Sequence, residues 1–145
     1  MTKINPYLNF PGNTEEAFNF YQSIFGGEFL GGIIRFGDMP MEGHENMSEE
    51  VKNKVMHIAL PIGDGNMLMA TDALESMGQK LSQGNNFYIS VSTDSKDEAQ
   101  RIYDKLSEGG AIEMPIGDVP WGSYFSMFKD KFDVQWMVSY DYPKE

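Results

Sequence analysis

The stretch NTEEAFNFYQSIFGGE, residues 13 to 28, decides the fold because the chain uses it twice. Asn13 stands three residues before Glu16, the pattern of a helix N-terminus. Apolar residues at Ala17, Tyr21, Ile24 and Phe25 then recur at helical spacing until Gly26-Gly27 stops the run. SKDEAQRIYDKLSEGG, residues 95 to 110, repeats this grammar with Ser95 and Glu98, then Ala99, Ile102, Tyr103 and Leu106, then Gly109-Gly110. Two amphipathic helices are predicted, each with Glu-Ala followed by Tyr four residues after the Ala.

The surroundings of the two helices match as well. A β-like run precedes each, Tyr7 to Phe10 and Phe87 to Val91. After the helices come predicted strands Phe29 to Phe36 and Ala111 to Ile116. Each leads into a Gly-Asp-x-Pro pattern, Gly37-Asp38-Met39-Pro40 and Gly117-Asp118-Val119-Pro120, which predicts a turn at equivalent places. Val55 to Ile62 and Met67 to Thr71, around Gly63-Asp64-Gly65-Asn66, close the first half as a hairpin; Tyr124 to Phe128 and Val134 to Tyr140, around Lys129 to Asp133, close the second. The unit is β-α-β-β-β, at about 3–73 and again at about 85–142, within one α+β domain of 145 residues. The charged segment Glu42 to Lys54 predicts an exposed loop with a helical turn after Ser48, and His44 within it reads as solvated.

Composition narrows the function classes. Hydrophobic residues at 41% and aromatics at 13% are globular values, and no apolar run is long enough to span a membrane. MTKINPYLNF lacks the apolar segment of a signal peptide, so a cytoplasmic location is expected. With no cysteine there is neither disulfide nor thiolate chemistry. A net charge of -11 with scattered Lys and Arg argues against nucleic acid as a partner. No Gly-x-Ser-x-Gly elbow occurs, and Ser123 has no evident base. Glu15-Glu16 and Glu49-Glu50 sit at helix starts, where they read as capping and dipole charges.

Several phrases carry a family resemblance: Tyr7 to Asn13, Glu16-Ala17 leading to Phe20-Tyr21, Phe25 to Glu28, Met56 to Leu60, Trp121-Gly122, and Asp130-Lys131-Phe132 leading to Trp136. Together with the duplicated unit, the chain resembles the PhnB-like branch of the vicinal oxygen chelate superfamily, which includes glyoxalases, extradiol dioxygenases and bleomycin-resistance proteins. It departs at Asp133, where such sequences more often have Gly. The resemblance implies two modules pairing into a curled mixed sheet around a cavity, commonly in a homodimer. Some relatives carry a label as ubiquinone-pathway methyltransferases. The common nucleotide-type cofactor of such enzymes needs a glycine-rich turn from strand to helix, whereas Gly63 to Asn66 joins two strands.

The resemblance also implies where a metal would sit, since the first and last strands of each module supply His, Glu or Gln to one divalent ion in metal-dependent relatives. Here those strands offer Asn5, Asn9, Asp72, Asn86 and Gln135, and Met137 stands about where relatives place a Glu. Thioether sulfur suits hard or borderline ions poorly, so neither metal nor other cofactor is expected. His57 lies on the third strand, outside that ligand set. Alternation places it with Val55 and Ala59, opposite the bulky Met56, Ile58 and Leu60, facing a cavity where an imidazole binds a ligand, serves as a base or is simply satisfied by a neighbour. Glu113, Asp118 and Tyr124 are candidates for its partner. Tyr124 and Ser126 share a strand face with Phe128, as Gln135 and Met137 do with Ser139, and Trp121 follows the second Gly-Asp-x-Pro. The expected ligand cavity therefore comprises His57, Trp121, Tyr124, Ser126, Gln135 and Met137, holding an apolar or aromatic small molecule. The alternatives are a metal-dependent lyase, isomerase or dioxygenase with a rearranged site using His57, and a dimeric interaction module with a vestigial pocket.

Overall fold

The structure, a computed structural model, describes residues 2–39 and 46–144. His44 lies outside the described residues. The chain divides into two compact units, Met1–Gln83 and Gly84–Glu145. Each carries one four-stranded mixed sheet with a helix against one face.

In the first unit the elements are β1 (Tyr7–Phe10), α1 (Thr14–Phe25), β2 (Ile34–Arg35), the short α2 (Glu49–Lys52), β3 (Val55–Ile62) and β4 (Asn66–Asp72). The sheet order is β1-β4-β3-β2, with β1 parallel to β4 and the other pairs antiparallel. Leu8, Phe10, Ile58, Leu60, Leu68 and Ala70 share one face and are buried. Ala17, Phe18, Tyr21 and Ile24 of α1 close over them, with Phe18 edge-on to Phe10. Burying side chains of this size contributes about 1.5–3 kcal/mol each, so packing outweighs the roughly 1 kcal/mol of a helix cap.

That balance matters because the predicted cap is not made. Asn13 donates or accepts no capping bond to the helix, and its buried Oδ1 has no partner among the described residues. The N-terminus of α1 is instead held by Asp72 at the end of β4. Its Oδ1 accepts from Thr14 N at 3.0 Å and Thr14 Oγ1 at 2.6 Å, while Oδ2 accepts from Val55 N at 2.8 Å. One buried carboxylate thus ties helix, third strand and fourth strand. The helical turn predicted after Ser48 is present as α2, and Ser48 caps it, accepting from Val51 N at 3.2 Å.

The second unit comprises β5 (Ile89–Ser92), α3 (Lys96–Leu106), β6 (Ala111–Val119), β7 (Ser123–Lys129) and β8 (Gln135–Asp141), in the order β5-β8-β7-β6. Ser95 caps α3 through Glu98 N at 3.1 Å, and Ala99, Ile102, Tyr103 and Leu106 pack on β7 and β8. Asp130 organises the β7–β8 hairpin: Oδ1 accepts from Phe132 N and Val134 N at 2.7 and 3.1 Å, and Oδ2 from the Trp136 indole at 2.8 Å. Asp133 in that loop takes the left-handed conformation, with φ 68°. Gly110 approaches the same hairpin so closely that a Cβ there would lie 1.9 Å from the Lys129 carbonyl oxygen, which no side chain tolerates.

Two sequence expectations change. The strand predicted over Phe29 to Phe36 is reduced to Ile34–Arg35, because Gly31 and Gly32 at φ 75° and 72° turn the chain out of the extended region. The two Gly-Asp-x-Pro patterns also differ. Gly37-Asp38 closes a 3₁₀ turn, where Asp38 accepts from Arg35 N, whereas Gly117-Asp118 continues β6 opposite Phe125 and Tyr124. A paired strand supplies the hydrogen bonds that the isolated pattern would have taken from a turn.

Asp72→Ala leaves three buried donors without their acceptor and is expected to destabilise the protein by at least about 3 kcal/mol. Asp72→Asn keeps one acceptor oxygen and loses less. Urea unfolding midpoints order the series as wild type, Asn, Ala.

Candidate functional site

The strand register decides which predicted site residues share a surface. In the second unit Ser126 pairs with Val138, Phe128 with Trp136 and Tyr124 with Tyr140. This face lies under α3: Tyr103 is edge-on to Phe128, the Tyr124 hydroxyl donates to Gln100, and Ser126 is fully buried with its hydroxyl donating to the Val138 carbonyl at 2.9 Å. Gln135 and Met137 pair with Lys129 and Met127 and point the other way. Tyr124 and Ser126 therefore belong to the helix layer and do not share a surface with Gln135 and Met137. Phe125, Met127, Lys129 and Ser139 do share it.

Around Tyr124 the helix layer ends in a polar cluster. Lys96 Nζ lies 4.6 Å from the Tyr124 ring centroid and 5.8 Å from that of Tyr142, whose hydroxyl donates to Asp118. The bond to Tyr142 raises the Lys96 pKa above its ordinary value.

Tyr88 precedes β5 at one sheet edge, and Glu113 lies on β6 at the other, with β8 and β7 between. The edges of such a sheet lie about 14 Å apart, three strand spacings. The two side chains reach across that gap, and the Tyr88 hydroxyl donates to both Glu113 carboxylate oxygens, at 2.7 and 2.8 Å. Ile89 pairs with Trp136 on the helix side, so alternation places Tyr88 on the open side, arching over it. Gln135 sits at the foot of this arch, donating to the Phe87 carbonyl at 2.6 Å. Trp121 is 64% exposed and edge-on to Phe125, with ring centroids 5.4 Å apart. Met127 and Met137 are half-buried on the open side.

In the first unit His57 lies on the face away from α1, half-buried beside Ala59. Its partner is Tyr7: the hydroxyl lies 3.3 Å from Nδ1, and the rings stack with centroids 5.9 Å apart at 28°. Desolvation raises the Tyr7 pKa. The three partners considered from sequence are engaged elsewhere, Glu113 with Tyr88, Asp118 with Tyr142 and Tyr124 with Gln100. A cleft of about 290 Å³ beside α2, lined by Met47, Val51 and Met77, contains none of the predicted residues.

The residues at the family's metal-ligand strands hold other partners or offer poor donors. Asn5 Oδ1 accepts from Met67 N at 3.0 Å, Asp72 is bound by three donors, and Gln135 holds a backbone carbonyl. Asn9 and Asn86 are exposed neutral amides, and Met137 is a thioether. Among the described residues no three His, Cys, Asp or Glu side chains group as a metal-ligand set. This donor set does not fit the divalent ion of metal-dependent relatives.

The two β-α-β-β-β units define the fold class of the glyoxalases and bleomycin-resistance proteins. The model of the Glyoxalase/Bleomycin resistance protein/Dioxygenase superfamily matches residues 3–138, and the chain belongs to that superfamily, in its PhnB-like branch. It is 32% identical over 142 residues to Protein YjdN of Escherichia coli strain K12, covering 94% of this chain and 93% of that protein. The crystal structure of protein PA1353 from Pseudomonas aeruginosa matches with a TM-score of 0.84 and 37% identity, covering 97% of this chain and 98% of that one. A PhnB protein from Bacillus cereus, described as a putative 3-demethylubiquinone-9 3-methyltransferase, matches with a TM-score of 0.74 and 27% identity, covering 96% and 99%.

The Tyr88–Glu113 bond makes a pH-dependent prediction. Accepting the phenol proton, Glu113 raises the Tyr88 pKa, followed by desolvation and the carboxylate charge. A raised phenol stabilises the fold in its protonated form, fully below about pH 10, and that contribution is lost as the pH rises through the folded-state value. Ultraviolet titration is expected to show one fewer tyrosine ionising above the ordinary range in Glu113→Gln than in the wild type.

Proposed function

We propose that the protein binds an apolar or aromatic small molecule on the face of its second unit opposite α3 and carries no resident metal ion or other cofactor. The observation that carries this reading is the Tyr88–Glu113 arch over a face bearing Met127 and Met137, with Trp121 at its margin. Thioethers adapt to varied apolar shapes, and an aromatic arch adds a flat contact surface. Gln135 supplies a polar floor whose amide nitrogen is already held. The absence of a suited donor set on the family's ligand strands supports binding without an ion. The proposal includes a homodimer, which the family resemblance implies.

A methyltransferase role, as in the description of the Bacillus cereus protein, finds no support in the sequence, because Gly63 to Asn66 joins β3 to β4 and opens no helix. A second reading, an enzyme working through His57, is favoured by one observation: Tyr7 orients the imidazole.

The test uses 1-naphthol and methionine-methyl NMR of protein purified without chelators. Saturable shifts of the Met127 and Met137 methyls are expected, with Met137→Glu weakening binding by at least about tenfold by placing a charge on the apolar face. Tyr124→Phe, on the opposite face, is expected to change affinity less than about twofold. Equal losses in both variants, or one divalent ion retained per chain, would overturn the reading.

A further inference from the structure

The open face of the first unit is built differently from that of the second. Register places Tyr7 beside Met69, Met69 beside Ala59, and His57 beside Ile34, with the polar Asn9 and Thr71 on the same face, so the Tyr7–His57 pair borders an apolar strip on one side. The small Ala59 leaves room next to it. His57 Nδ1 faces the Tyr7 hydroxyl, and Nε2 has no partner among the described residues.

We infer that His57 Nε2–H is a hydrogen-bond donor for an uncharged carbonyl compound, with Tyr7 as the positioning residue that fixes this polarity. The hydroxyl lies 3.3 Å from Nδ1 with the two rings stacked, and in this assignment it donates to Nδ1, so that the neutral imidazole carries its proton on Nε2. Protonation leaves Nε2–H in place while Nδ1–H turns to the Tyr7 oxygen. Nε2 is therefore a donor in both states and recognises an oxygen acceptor. No Lys or Arg stands among Tyr7, Asn9, Ile34, Ala59 and Met69, and the chain carries a net charge of -11, so a carbonyl oxygen suits the site better than a carboxylate. Met69, Ala59 and Ile34 then take the apolar body of the ligand.

This inference rests on the reading that open sheet faces take small molecules, but it concerns a different face, and one experiment separates the two. His44→Gln leaves His57 as the only histidine, so ¹⁵N correlation spectra report one ring. In the neutral form the expected pattern is proton on Nε2; Tyr7→Phe is expected to mix the tautomers. Acetophenone is expected to shift the Nε2 resonance saturably, with affinity about three- to tenfold weaker in Tyr7→Phe, and benzoate to leave it unmoved. A proton on Nδ1 in the otherwise wild-type chain would overturn the inference, as would a response to benzoate alone. Shifts of the Met127 and Met137 methyls with His57 silent would defeat this inference and leave the second-unit reading standing. The converse result would defeat the second-unit reading only.

Discussion

A buried carboxylate organises each unit, and the rest of each unit depends on it. Asp72 accepts two donors from Thr14 and one from Val55; Asp130 accepts two backbone donors and an indole. Burying a charge costs several kcal/mol unless its hydrogen-bond sites are filled, and bonds to a charged acceptor are among the stronger ones. Filling them fixes where α1 begins and how β3 and β4 close in the first unit. In the second it fixes the β7–β8 hairpin and the Trp136 side chain. The sequence repeats its helix pattern, but the two units place their carboxylates at different points of the same topology.

Fixing one face frees the other. Once α1 and α3 occupy their sides, Tyr7, His57 and Met69 in the first unit, and Gln135, Met137, Met127 and Phe125 in the second, stand on faces no helix of their own unit covers. The same constraint bears on metal chemistry. Asp72 is the one carboxylate on the family's ligand strands that the sequence singled out, and it serves as the structural anchor on the helix side. Asn5, Asp72 and Gln135 serve folding roles, and the open faces carry aromatic, thioether and imidazole groups.

The repeat made most of the fold legible, since helix grammar and strand alternation are local. Most of what failed was non-local. Asn13 looks like a cap, but its role passes to a carboxylate 58 residues beyond Thr14. Tyr7 partners His57 across 50 residues, and only the parallel pairing of β1 with β4 brings them together. The assignment of Tyr124 and Ser126 to one surface with Gln135 and Met137 fails for a reason the sequence did contain. Across a hairpin loop with an odd number of residues, paired positions share parity, so even-numbered Tyr124 and Ser126 face with Trp136 and Val138. The Tyr88–Glu113 arch had no such signal, because it joins opposite edges of a sheet whose strand order is not local in the chain.

In the proposed reading, the face of the second unit opposite α3, beneath Tyr88, is a ligand surface without a metal. The decisive measurement is a crystal structure of native protein grown with 1-naphthol. Ring density is expected in contact with the Met127 and Met137 side chains beneath Tyr88. A face empty of the compound at saturating concentration, or an ion held there by protein side chains, would contradict it.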